Sequence, residues 1–127
     1  MRILISHTSD QTPFAHAVAE ELRRRGLDPG SDVDAASRVN EWIEGLRSSE
    51  VFVVFIGDSV NSPSLNFEIG AAVGGAKHVV PVYLTESARR DAPGVVSQLA
   101  GIDAHDLKPD QVAQRIEAAV AGTPADA

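Results

Sequence analysis

The chain contains no cysteine. That absence removes disulfides, thiolate nucleophiles and cysteine-bearing metal sites together, and it argues against a disulfide-stapled secreted module. Basic residues are scarce as well: 11 Lys and Arg stand against 18 Asp and Glu, for a formal charge of -7. No broad basic face is left to neutralise phosphates or to lie on an anionic bilayer, so neither nucleic acid nor membrane is expected as a partner. No apolar run approaches the roughly 18 residues of a membrane span. Met1 leads into Ile3, Leu4 and Ile5 without the charged, apolar and cleavable regions of a signal peptide. A cytoplasmic location is the expectation. Neither G-x-x-x-x-G-K-[ST] nor G-x-G-x-x-G occurs, which leaves nucleoside triphosphate hydrolysis and Rossmann-type hydride transfer without support. The four histidines, His7, His16, His78 and His105, have no second ligand in the register a metal needs, so no metal is expected. No G-x-S-x-G elbow exposes a serine nucleophile.

What the chain does have is the size and balance of one domain: 127 residues, 43% hydrophobic and 23% charged. Such a domain buries roughly 68% of its unfolded surface. Residues 1–120 are read as that single domain, and the small, polar segment 121–127 as a flexible tail. Short apolar runs alternate with segments of helical period, the pattern of βαβ units. Strands are expected over Arg2 to Ser6, in a short edge piece within Leu27 to Asp34, over Val51 to Ile56, over Val79 to Leu84 and around Gly101 to Ala104. Helices are expected from Pro13 to Arg25, with Phe14, Ala17, Val18 and Leu22 inward and Gly26 as the stop. Further helices follow through Val39, Trp42, Ile43 and Leu46, from Ser62-Pro63 to Ala76, over Val95 to Leu99, and from Pro109 to Val120. Thr85 to Gly94 reads as loop. The six consecutive apolar residues Val51 to Ile56 mark a strand covered on both faces, and Pro81 makes its neighbour unusual. The fold class is therefore α/β: a three-layer sandwich with an about five-stranded, mainly parallel sheet and helices on both faces.

In open α/β sheets the ligand lies outside the carboxyl ends of the strands. Those ends deliver Ser6, His7, Thr8, Ser9 and Asp10, then Asp32 and Asp34, then Gly57, Asp58 and Ser59, and finally the helix opening at Asn61 to Glu68. Hydroxyls and carboxylates dominate, and such a rim suits a ribose or another polyol better than a bare phosphate. Ser64 and Glu68 fall one turn apart on a single helix face. Glu68 stands between Phe67 and Ile69 within the first two turns, where the helix dipole favours an ionised carboxylate. The same segment also reads as a solvated helix glutamate beside a capping serine.

Ile3-Leu4-Ile5-Ser6-His7 with Asp10, the run Ser48 to Ile56, and Asn66-Phe67-Glu68-Ile69-Gly70-Ala71-Ala72 followed by Val80-Pro81-Val82 together resemble a bacterial Toll/interleukin-1 receptor (TIR) domain. The resemblance spans about residues 2 to 84 and implies a flavodoxin-like sandwich. Many bacterial and plant members cleave the nicotinamide-ribose bond of NAD+, giving nicotinamide and linear or cyclic ADP-ribose, with a glutamate matched here by Glu68. The resemblance therefore implies an NAD+ nucleosidase in antiphage defence or signalling, with NAD+ as substrate and no cofactor. It makes Glu68 the catalytic carboxylate and Ser6, His7, Thr8, Asp32, Gly57 and Ser64 substrate-binding residues, and it implies homotypic self-association. Many members carry a Trp four residues before the glutamate, where this chain has Ser64. Two other readings stand beside this one: a non-catalytic TIR interaction module, and a nucleoside or nucleotide N-glycosidase related to deoxyribosyltransferases.

Overall fold

The computed structural model describes residues 2–7, 11–29, 33–34, 44–57, 63–75, 77–92, 96 and 98–121, with 33–34 and 63–68 described as backbone. Strand β1 (Ile3–His7) leads to helix α1 (Thr12–Arg24) and the two-residue strand β2 (Val33–Asp34). A helical turn over 44–47 precedes β3 (Val51–Ile56), which leads to helix α2 (Pro63–Gly74) and β4 (His78–Tyr83). Helix α3 (Glu86–Arg90), strand β5 (Ile102–Asp103) and helix α4 (Pro109–Val120) complete the chain. The five strands lie in the order β2-β1-β3-β4-β5, and every pairing is parallel. The expected α/β sandwich is thus the fold, and among the described residues no helix is long and apolar enough to cross a membrane.

The register explains the layers. Ile3, Ile5, Val51, Val53, Phe55, Val80 and Val82 turn to one face, where Val18 and Leu22 of α1 and Val112 and Ile116 of α4 cover them. The alternate residues Leu4, Phe52, Val54, Ile56, Val79 and Tyr83 turn to the other face, against Leu46, Ile69 and Ala72 of α2, and Ala88 of α3. Successive side chains of a strand point to opposite faces, so a strand buried in the middle of three layers must be apolar at every position. All six residues of β3 are at most 1% exposed.

Helix ends show why the elements stop where they do. The Leu27 N–H donates to the Leu22 carbonyl at 3.0 Å and Gly26 N–H to the Arg23 carbonyl at 3.1 Å, closing α1 in a Schellman motif. That motif needs a left-handed residue, and Gly26 supplies it at φ 82°. Inside α1 the core takes Ala15 and Ala19 with Val18 and Leu22, whereas Ala17, expected inward, is only half-buried. At the start of α4 the Lys108 N–H donates to Gln111 Oε1 at 2.8 Å, so the cap lies one residue before the expected Pro109-Asp110.

Several expectations need correction. The first strand runs through His7 rather than ending at Ser6, while Arg2 contributes only an isolated bridge to Asp28. The edge strand within Leu27 to Asp34 reduces to β2 and that bridge. Thr85 to Gly94 is not all loop, because α3 occupies Glu86–Arg90. Its origin is local: Thr85 Oγ1 accepts the Ala88 N–H at 3.0 Å, Glu86 sits in the first turn, and Arg89 and Arg90 sit in the last. A side-chain cap and charges matched to the helix dipole make a short helix without any apolar period. Val39, Trp42, Ile43, Ser62, Val95 and the tail 122–127 lie outside the described residues.

Pro81 occupies a central strand without breaking it. The N–H groups of His78 and Leu84 donate toward β3, to Glu50 and Ile56 carbonyls, so the two-residue alternation turns the nitrogen of Pro81 toward the β5 side. There the ladder begins only at Val82, paired with Ile102. A missing donor costs nothing where no acceptor waits. The same corner requires Gly101, since a Cβ there would lie 2.6 Å from Tyr83 Cε2 and 3.2 Å from the Pro81 carbonyl oxygen. A packed ring and a strand carbonyl cannot easily give way. Gly101→Ala is therefore expected to cost about 1–3 kcal/mol by overpacking, read as a lower Tm in calorimetry; an unchanged Tm would mean that this corner is loosely held.

Candidate functional site

Parallel strands bring their carboxyl ends to one edge, and here that edge gathers His7 of β1, Asp34 of β2, Gly57 after β3, Tyr83 of β4 and Asp103 of β5. The strand order 2-1-3-4-5 reverses direction between β1 and β3, which makes that pair the topological switch point, the place outside which open α/β sheets bind their ligands. Helices α1 and α2 start at this edge on opposite faces of the sheet, so their positive ends flank it.

Ser6 lies in the first strand, as expected, whereas His7, expected just beyond it, is its last residue. They are strand residues, 0% and 3% exposed, registered against Val33 and Asp34 of β2, and Ser6 also against Val54 of β3. His7 Nε2 is sealed from solvent. Both side chains therefore belong to the buried end of β1. Gly57 follows directly on Ile56, at the carboxyl end of β3 as expected. Ser64 and Glu68 stand in the first and second turns of α2, four residues apart and on one face of its backbone. Thr8 and Asp32 lie outside the described residues. Among the described residues no group of three or more His, Asp and Glu is placed to hold a metal ion.

One residue of this edge escaped the sequence reading. Gln11, immediately before α1, is 8% exposed, and its Nε2 lies 2.6 Å from where a Cβ on Gly57 would stand. The available signal was its position: the residue before a helix is usually Ser, Thr, Asp or Asn, and a glutamine there is out of pattern.

Further along the edge, Tyr83 forms its own cluster. The Arg89 guanidinium lies 5.1 Å from the ring centroid and donates to Asp103 Oδ1 at 3.1 Å, while the Tyr83 hydroxyl donates to the Val96 carbonyl at 3.4 Å. The opposite edge of the sheet is closed by charge: the Arg2 N–H donates to Glu50 Oε2 at 2.7 Å, and Arg2 pairs with Asp28 at 3.8 Å. A groove of about 330 Å³ runs along the outer side of α1, lined by His16, Ala19, Glu20 and Arg23. It follows the helix rather than the strand ends, and its Glu20 and Arg23 already pair with each other at 3.1 Å. The switch point is accordingly the candidate site.

Burial pushes the Tyr83 hydroxyl above its ordinary pKa of 10.0, with Arg89 drawing it down and Asp103 pushing it up. A group whose pKa is raised on folding stabilises the protein below its unfolded pKa, and that contribution is lost as pH rises through the folded value. Urea unfolding from about pH 8 to about pH 11 should show stability falling, and Tyr83→Phe should flatten that fall; an equally steep fall in the variant would assign it to other groups.

Comparison with known proteins adds two findings. Residues 3–119 match the family model described as "TIR domain". Eight chains of known structure match, among them the CMP N-glycosidase BcmB of Clostridium botulinum, with a TM-score of 0.67 at 16% identity over 93% of this chain and 98% of that one. No curated protein matches the chain.

Proposed function

The chain belongs to the TIR domain family, and from that premise we propose that it is a nucleotide N-glycosidase with Glu68 as its catalytic carboxylate and NAD+ as its first substrate. The observation that carries this reading is the position of Glu68, in the second turn of a helix that opens at the carboxyl edge of the sheet just after the switch-point strand β3.

The chemistry asks little else of the site. Nicotinamide leaves NAD+ as a neutral molecule from a cationic pyridinium, so departure needs no proton. What builds up is positive charge on the ribose, and a carboxylate fixed beside it opposes that charge while accepting bonds from ribose hydroxyls. The neighbouring residues would do the positioning: buried Ser6 and His7 fix the end of β1, Gly57 presents its backbone groups at the end of β3, and Ser64 lies one turn before the carboxylate. Thr8 and Asp32 complete the proposed substrate contacts. Assembly of copies through their TIR surfaces, and a bacterial role in antiphage defence or signalling, belong to the same proposal.

A second substrate has its own support. BcmB, which shares the fold, is a CMP N-glycosidase. Ser64 stands where many family members carry a Trp, so that position offers no aromatic face to stack on nicotinamide, which removes one preference for NAD+ over another nucleotide. A pyrimidine departs as an anion unless it is protonated, so this substrate would call on a proton donor in addition to Glu68.

The test incubates the purified chain at high concentration with NAD+, CMP and a panel of nucleosides, and follows free base by chromatography. Base release that falls at least about 100-fold in Glu68→Ala, with the melting transition retained, is the expected result. Release of nicotinamide or of cytosine decides the substrate. No release from any nucleotide, even under forced association, would contradict the glycosidase and leave an interaction module.

A further inference from the structure

We propose that Gln11 is a positioning residue of the switch point: its carboxamide occupies the space that Gly57 leaves empty and braces the start of α1 against the end of β3, beside the place where a nucleotide ribose would rest. The inference rests on the glycosidase reading above and extends it to a residue outside the family resemblance.

Four observations carry it. The side chain makes no cap bond to its own helix, although Gln11 stands at the capping position of α1. It is instead folded inward to more than nine-tenths burial, where a carboxamide costs free energy unless its polar atoms are used. Its far end meets Gly57, with Nε2 at 2.6 Å and Cδ at 3.9 Å from the position of an added Cβ. Gly57 is free of the left-handed φ that demands glycine, which among described glycines falls at Gly26. What excludes a side chain at 57 is therefore the space taken by Gln11 and not the backbone.

The topology gives this contact its meaning. Gln11 lies four residues beyond His7, the end of β1, and Gly57 lies one residue beyond Ile56, the end of β3. These are adjacent parallel strands, and they are the pair that defines the switch point. A side chain from the start of α1 that meets the residue after β3 lies beside that switch point. Reacting groups held by those ends lose alignment when the brace moves, and a displacement of about 1 Å can cost up to 100-fold in rate.

The chemistry of the contact also makes it testable. The atom an alanine at 57 would meet is the tip of a flexible side chain, which can swing away, so Gly57→Ala should keep the fold and move only the carboxamide. The experiment measures kcat, KM and Tm on the nucleotide that the wild-type chain hydrolyses, for Gly57→Ala, Gln11→Ala and the double variant. Each single variant should lower kcat/KM about tenfold, chiefly through kcat, with little change in the Tm of Gly57→Ala. The double variant should be no worse than Gln11→Ala alone, because the methyl then enters vacated space. Wild-type turnover with unchanged KM in Gly57→Ala overturns the assignment of Gln11 while leaving the glycosidase standing; so does additive loss in the double variant. A wild-type chain that hydrolyses no nucleotide overturns both.

Discussion

Six consecutive side chains, Val51 to Ile56, leave water altogether, and the architecture follows from the need to cover them on both sides. Each such burial is worth about 2 kcal/mol, and none of it is obtained unless helices pack above and below the sheet. Helices α1 and α4 cover one face, and α2, α3 and the turn at 44–47 cover the other. Helical crossovers make neighbouring strands parallel, and parallel strands bring every carboxyl end to one edge. Because β1 and β3 send their crossovers to opposite faces, their ends form the topological switch point, outside which ligands bind in folds of this kind. The candidate site is thus a consequence of how one strand is buried.

That edge and its opposite have been treated differently by the sequence. At the amino edge, Arg2, Asp28 and Glu50 satisfy one another, and Lys77 donates to the Arg47 carbonyl. At the carboxyl edge, small and polar residues follow the strands, and a buried carboxamide takes the place of a side chain at Gly57. An edge closed by ion pairs is a structural end of the sheet; an edge built from short polar residues beside two helix N-termini suits hydroxyl-rich and anionic groups.

How far the sequence could be read depended on the kind of signal. Strand β3 was legible residue for residue, because an unbroken apolar run bounded by polar residues has few other meanings. Helices α1 and α4 were legible to within a residue through their apolar period, and Gly26 through its stop signal. Helix α3 was not, because a Thr85 cap and flanking charges leave no periodic trace. His7 was placed one element too late, since a histidine at a strand end looks like loop until its pairing with Asp34 of β2 and its burial show it within the sheet. The helix that carries Glu68 was legible in its Pro start and apolar run, whereas the meeting of Gln11 with Gly57 was not, because the two lie 46 residues apart in the chain and only the fold brings them together. Local pattern reports elements, and contacts between distant segments come from the fold.

The most direct measurement of the central claim, that nucleotide binds at the β1/β3 switch point, is the backbone amide spectrum of the isotope-labelled chain during titration with ADP-ribose and, separately, with CMP. The account predicts that the shifted resonances cluster at His7, Gln11, Gly57 and the first two turns of α2 around Ser64 and Glu68, while Arg2, Glu50 and Lys77 at the opposite edge stay in place. Shifts centred on that opposite edge, or on His16, Glu20 and Arg23 along the groove of α1, would contradict it.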